Sequence, residues 1–508
     1  MRLEALGHAS FVVRAANATL CFDPLLFDPH HEGLYEVYPP RSIDLGELPK
    51  LDALIISHGH ADHMDPDSLA FFPRELPVIT VDDPLVIGCL EGLGFENVIV
   101  AQNLVPIEIG EAKLVPTPAA PGAREHGFIV QDEQRTLWHL VDTIPDPGSI
   151  AAVLEQYPAI DVLIAPWQPL QDAALSAGEP LVFPFEMYGR LLANIAQIAP
   201  KILVPGACGF RAVGAPAFTN HLIFPVTRAR FLEDIARVVP KLREATLVLE
   251  PGDSFTFQSG LTSVESGILP YCRSDRQAYD WQELAFRPFE LGFPTRETRG
   301  AAFSRAECFD AVALFMQQTL LETIQEQRQY FAWHHKWQVV RQYEVVFAQN
   351  EREYWTLDFR SNPPSVTHGP SALALAHTVL PASLLIGLVA GTISWDYAIL
   401  SAELRRHDHS YLASENGLQR PTPGLVFEPL TILFGTREAA EFALAEQLER
   451  VHREWEQAEA EYAATQASNE VMFTSRKILD PATVLVDVLE QLGGPKPSER
   501  STLGTEEY

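Results

Sequence analysis

Leu51-Asp52-Ala53-Leu54-Ile55-Ile56 runs straight into Ser57-His58-Gly59-His60-Ala61-Asp62-His63. The apolar part reads as a short buried strand. The part after it packs three histidines and a carboxylate into residues 58–63. Polar groups at the mouth of a buried strand are costly unless something binds them. Imidazole suits zinc, iron, copper and nickel, and a carboxylate adds a hard oxygen donor. In an extended or tightly turning loop, His58 and His60 can point to one side while Asp62 and His63 reach another. The stretch therefore offers two adjacent metal positions rather than one.

At 508 residues the chain exceeds one ordinary core, so two or more domains are expected. Its 47% hydrophobic and 20% charged content is that of a soluble globular protein. A net charge of -30 argues against a nucleic-acid groove, which needs clustered Lys and Arg to neutralise phosphates. The same charge gives no help toward an anionic membrane surface and is read as a solubility feature. The cysteines at 21, 89, 208, 272 and 308 form no Cys-x-x-Cys pair, and their odd number argues against a disulfide framework. A reducing, cytoplasmic location is expected. Met1 to His8 has no long apolar run, so no secretory leader is expected. The most apolar window, Ala372 to Ala390, is interrupted by His377, Pro381 and Gly387 and reads as a strand followed by a helix, not a membrane span.

The first 262 residues alternate short β-type runs with helical segments. Strands are expected at Ser10–Arg14, Ala18–Phe22, Pro77–Val81, Asn97–Gln102, Leu114–Pro118, Gly127–Gln131, Thr136–Val141, Ile160–Ala165, Ile202–Pro205, Ala245–Leu249 and Ser254–Phe257. Helices are expected at Pro84–Leu93, Phe185–Ile198 and Thr227–Val238. Leu25 to Ile43 lacks a helical period and reads as a long functional loop. Residues 263–299 read as a linker and 300–415 as a smaller α+β domain that opens with a helix near Ala306–Gln329. Residues 416–490 read as a helical extension and 491–508 as a disordered tail. A long helix from Thr436 to about Ala467 carries Leu444, Leu448, Val451, Trp455, Ala458 and Tyr462 on one line, which suits packing on the body or a homodimer.

His-x-His-x-Asp-His after an apolar strand resembles the signature of the metallo-β-lactamase superfamily. The resemblance implies an α/β fold for residues 1–262, an αββα sandwich, followed by the smaller α+β domain and the long C-terminal helix. It also implies two divalent metal ions, zinc first and iron as the alternative. His126 stands where the superfamily places a third histidine, and Asp142 where it places a bridging carboxylate. Val204-Pro205-Gly206-Ala207-Cys208-Gly209 lacks the histidine often found at the last position, so His221 is the nearest substitute and Cys208 an alternative. The implied first site is His58, His60 and His126; the second is Asp62, His63 and His221; Asp142 bridges them. Leu6-Gly7-His8-Ala9-Ser10 and Phe22-Asp23-Pro24 narrow the resemblance to one branch. That branch holds ascorbate-6-phosphate lactonase, the N-acylphosphatidylethanolamine phosphodiesterase and the metallo-β-lactamase part of CMP-N-acetylneuraminate hydroxylase. His8 would then stand beside the metals or touch substrate, and Asp23 would buttress the metal loop. Residues 300 to 415 resemble a sterol-carrier-protein-type domain, on pattern more than on particular residues.

The reaction expected first is hydrolysis of an ester, lactone or phosphoester-type small molecule. A water between two metals would supply hydroxide, with Asp62 orienting it. The alternative is a di-iron oxygenase acting on a small-molecule, apolar or carrier-bound substrate. The chain has no Cys-x-His with Cys-x-x-His iron-sulfur ligands, so its electrons would come from elsewhere. A binding protein that keeps metals for structure is the third reading. His30, His31, Tyr35 and Tyr38 are candidate pocket residues. Pairs at His334-His335 and His407-Asp408-His409 read as polar surface groups. No Gly-x-Gly-x-x-Gly, Walker or Gly-x-Ser-x-Gly motif competes.

Overall fold

The computed structural model describes residues 1–120, 122–258, 261–290, 292–299 and 304–468. The expected tail at 491–508, and the stretch 469–490 before it, lie outside these residues. The chain divides into two compact units. The first is Met1–Leu291 with the returning pieces Ser371–Leu375 and His409–Pro421. The second holds Gly292–Pro370, Ala376–Asp408 and Thr422 onward.

Two sheets build the first unit. An eight-stranded sheet runs in the order Leu261–Glu265, Ser254–Gln258, Arg2–Gly7, Ser10–Ala15, Ala18–Phe22, Ala53–Ile56, Val78–Thr80, Val98–Val100. A six-stranded sheet runs Ile202–Pro205, Val162–Ala165, Thr136–His139, His126–Gln131, Ala112–Pro118, Ile107–Ile109. Their strands alternate by twos, as a pleated backbone requires. Ala53 and Ile55 join Phe128, Leu137 and Val162 in a core between the sheets. Leu54 and Ile56 point the other way, onto Leu69, Val86 and Leu90 of the helices outside. On the far sheet Leu163 and Leu203 face Ile150, Leu191 and Phe231 of the opposite helical layer. The result is four layers, helix, sheet, sheet, helix.

Three expectations are revised. Leu25 to Ile43 is not one featureless loop: Tyr35–Val37 pairs with Phe210–Ala212, and Arg41–Ile43 with Cys272–Ser274. Those strands form only through distant partners, so no local period betrays them. Arg41–Ile43 thereby ties part of 263–291, read as linker, into the first unit. Ala245–Leu249 makes only an isolated bridge from Thr246 to Leu203, held by two backbone hydrogen bonds, Leu203 amide to the Ala245 carbonyl and Leu247 amide to the Leu203 carbonyl.

The second unit centres on a five-stranded sheet, Ser365–His368, Arg352–Asp358, Val340–Val346, Ala376–Pro381, Arg405–Asp408. Its first helix is Arg305–Leu314, opened by a Ser304–Glu307 capping box. A single wide π-turn at Phe315–Thr319 then interrupts the expected continuous helix before Leu320–Glu326. That turn lets Phe315, Met316 and Leu320 all enter the core. His334 is no surface group: it is fully buried, with Nε2 at 3.0 Å from the Phe427 carbonyl. The long helix spans Arg437–Ser468, with Leu444 and Leu448 exposed. Among the described residues no helix is long and apolar enough to cross a membrane.

Within the first unit the returning piece His409–Pro421 is anchored on one buried carboxylate. Asp234 Oδ2 accepts from the Tyr411 hydroxyl at 2.6 Å and from the Tyr188 hydroxyl at 3.0 Å, and its Oδ1 lies 3.2 Å from Arg230 Nε. Removing it leaves a buried guanidinium without its counter-charge. Asp234→Ala is expected to destabilise the unit by about 3–5 kcal/mol. Denaturant unfolding checks this, and an unchanged midpoint and slope would contradict it.

Candidate metal centre

The strand Ala53–Ile56 and its parallel neighbour Ala18–Phe22 end side by side. Each releases its chain into the same place. After the second comes Asp23, fully buried, which accepts three hydrogen bonds from the loop after the first. Its Oδ1 takes the Ser57 amide at 2.8 Å; its Oδ2 takes the Ser57 hydroxyl at 2.7 Å and His63 Nδ1 at 2.9 Å. The loop then closes, with the His63 and Met64 amides on the His60 carbonyl, and stops at a helix capped by Asp65 with Pro66 behind it.

These bonds assign the tautomers. An ionised carboxylate only accepts, so His63 carries its proton on Nδ1 and turns Nε2 away from Asp23. The Ser57 hydroxyl spends its proton on Asp23, so the 2.9 Å contact with His58 Nδ1 is a donation from the imidazole. His58 Nε2 thus carries no proton and turns toward His60. Holding one ring nitrogen with a fixed acceptor is how proteins aim the other at a metal.

The free faces converge. His58 Nε2, His63 Nε2 and an Asp142 oxygen form one group whose atoms lie within 4.8 Å of one another; His8, Asp62 and His63 form a second. Asp142 Oδ2 is 3.6 Å from His58 Nε2 and 3.4 Å from His63 Nε2, the place of a bridging carboxylate. His60 Nδ1 stands 2.7 Å from His58 Nε2. Asp62 Oδ2 is 3.5 Å from His63 Nε2 and 3.0 Å from His8 Nε2. His63 Nε2, His8 Nδ1 and Asp142 Oδ1 are buried without a hydrogen-bond partner. Orphaned donors and acceptors of this kind fit a metal cation.

Electrostatics agree. Burial alone would lower the His63 pKa, but the Asp142 and Asp62 carboxylates outweigh it and hold the imidazole well above its ordinary range. Burial would raise Asp62 and Asp142, and the neighbouring histidines, His63 foremost, pull both below the usual carboxylate range. His58, by contrast, is lowered to about 4 by burial and by His63. The centre attracts positive charge, whether a proton or a metal ion.

Not every expected ligand arrives. His126 donates its amide to the Ser57 carbonyl at 3.2 Å, but its imidazole joins neither group. It shares a strand face with Phe128, 6.0 Å away between ring centres, and lies against the backbone of Thr117 and Ala101. The residue before it points elsewhere, as neighbours near a strand do. That residue is Glu125, missed in the sequence: burial and then Asp142 push its carboxyl up, while His60 and His63 pull it back. His221 is also outside both groups, with Nδ1 at 3.1 Å from the Ala285 carbonyl. Cys208 sits near Asp142, and burial first, then Asp142, pushes its thiol up to about 12. The glycines on either side sit close to their neighbours: a Cβ on Gly209 would lie 3.2 Å from the His8 amide nitrogen, and one on Gly206 would lie 2.3 Å from an Ile164 methyl.

The pocket candidates divide as well. His30 stacks on His8 at 6.5 Å, and Phe210 meets His8 edge-on at 5.1 Å. Tyr35 packs on Phe210 at 4.9 Å and on His31 at 5.5 Å, so these rings wall the His8 side. Tyr38 does not belong with them. Its hydroxyl accepts from the Asp280 amide at 2.6 Å and its ring lies under the Arg211 guanidinium, a structural clamp.

Residues 23–205 match the family model of the beta-lactamase superfamily domain. The four layers and the loop after Ile56 fit that match. Three proteins are similar to parts of the chain. A putative Rieske 2Fe-2S iron-sulfur protein of Mycolicibacterium smegmatis is 26% identical over 245 residues, 43% of this chain and 45% of that protein. A UPF0173 metal-dependent hydrolase of Caldivirga maquilingensis is 25% identical over 145 residues, 28% of this chain and 59% of that one. The Streptomyces venezuelae 3-hydroxylase of 4-amino-L-phenylalanine held on the CmlP peptidyl carrier protein is 31% identical over 134 residues, 25% of this chain and 24% of the hydroxylase. The chain thus spans less than two thirds of each.

Asp23→Ala should leave the β-sandwich folded but weaken metal binding by about 10–100-fold. Chelator competition beside circular dichroism measures both, and an unchanged affinity would remove Asp23 from this role.

Proposed function

We propose that the first unit is a binuclear metalloenzyme whose donor set suits iron and dioxygen chemistry better than zinc hydrolysis. One observation carries the preference. Two carboxylates, Asp62 and Asp142, lie against His63, and a third, Glu125, is close enough to feel Asp142, His60 and His63, while His126 and His221 stand outside both groups. Oxygen-rich sets favour harder ions than sets dominated by imidazole or thiolate. His58, His60 and Glu125 would hold one ion, and Asp62 and His63 the other, with Asp142 between. As iron, the pair would activate dioxygen; as zinc, it would acidify a water.

The chain's own residues supply the rest. Asp23 and Ser57 fix the imidazoles. His8, hydrogen-bonded to Asp62, closes one side of the centre and is lowered by its burial, so it meets substrate as a neutral ring. His30, His31 and Tyr35 shape the entrance. The similarity to the Streptomyces venezuelae hydroxylase supports a small substrate, free or carrier-held. A cleft of about 670 Å3 in the second unit, lined by Phe315, Leu388, Ile393, Trp395, Phe434 and Phe442, supports an apolar partner, as does the sterol-carrier resemblance. The five free cysteines support a cytoplasmic setting. Hydrolysis is the second reading, favoured by the similarity to the metal-dependent hydrolase.

Elemental analysis of protein purified without added metal, with spectra of the anaerobically reduced form before and after oxygen, separates the two. About two iron per chain and an oxygen-dependent band are expected. Zinc in both positions with a featureless spectrum would overturn the iron reading and leave hydrolysis.

A further inference from the structure

Three turns beside the candidate centre share an uncommon backbone. His8, Asp23 and Val141, the residue before Asp142, have φ of 51°, 40° and 60°. None is glycine, so each holds a left-handed conformation that L-residues adopt less readily than glycine. The turns belong to different parts of the chain: the hairpin after Arg2–Gly7, the end of Ala18–Phe22, and the end of Thr136–His139.

One side chain touches all three. His139 is fully buried. Its Nδ1 accepts the Val141 amide at 2.9 Å. That bond leaves the ring proton on Nε2, which lies 3.3 Å from the carbonyl of Ala9, the neighbour of His8. Its ring packs against Phe22, the neighbour of Asp23, at 5.3 Å, and edge-on against Phe11 at 5.3 Å. Both ring nitrogens are used and neither faces the metal positions. An apolar residue would fill the space but strand a buried amide and a buried carbonyl, and would free the turn ahead of Asp142.

We infer that His139 is a positioning residue: its imidazole sets the His8, Asp23 and Asp142 turns in register, so that the two ligand groups meet at His63. This rests on the reading of the site as a metal centre. A core role alone would lower stability and leave metal affinity untouched.

The test uses the full chain stripped of metal and titrated with Co2+. Affinity is read by chelator competition, geometry by the visible d–d spectrum, and folding by thermal melts. His139→Leu should fold, bind Co2+ about 10–100-fold more weakly and change the spectrum. His139→Asn, whose side-chain oxygen takes the place of Nδ1, should recover much of the affinity. Wild-type affinity and spectrum in the leucine variant would overturn the inference while leaving the metal centre standing. Absence of Co2+ binding by the parent chain would sink both. Should the leucine variant fail to fold, His139→Asn is compared with His139→Gln, which keeps only a donor toward Ala9. Tighter binding by the asparagine variant supports the inference, and equal binding overturns it.

Discussion

Asp23 is a buried carboxylate that satisfies itself entirely within the metal loop, and the candidate centre depends on that arrangement. An ionised group with almost no solvent contact needs strong donors. Here they are an amide, a hydroxyl and an imidazole, all from residues 57–63. The charge that must be compensated is thereby used to orient two histidines. The two strands that deliver it and the loop are parallel neighbours, so ordinary sheet pairing brings them together before any metal is present.

The centre that results is short of positive charge. Asp62 and Asp142 lie against His63 with Glu125 nearby, and the two aspartates hold that imidazole well above its ordinary range. A divalent ion would answer the same demand with more charge and better geometry. This is also what separates the chain from a plain imidazole-rich site. The loop 206–209 carries no histidine, and its two glycines approach Ile164 and the His8 backbone closely.

Local signals made much of this legible. The strand Ala53–Ile56 and the loop after it were readable because apolar run and polar cluster abut. Asp142 and His8 followed from resemblance, and both come to the centre. His126 stands outside both ligand groups: a strand turns successive side chains to opposite faces, and a histidine before an apolar run looks the same whichever face it takes. Glu125 carried no signal, since a lone acidic residue in a loop is common. His221 is the nearest histidine to the loop that lacks one, and its contact with Ala285 depends on chain far away. Tyr35–Val37 and Arg41–Ile43 were invisible for the same reason, being strands made by remote partners. His139 has no motif at all; its importance lies in which backbone atoms surround it.

The most direct measurement is anomalous diffraction from metal-loaded crystals, collected at the edge of the bound element. Two peaks about 3.5–4 Å apart are expected. One should lie at His58 and His60, the other at Asp62 and His63, with Asp142 reaching both and Glu125 on the first. A single peak, or peaks held by His126 or His221, would contradict it.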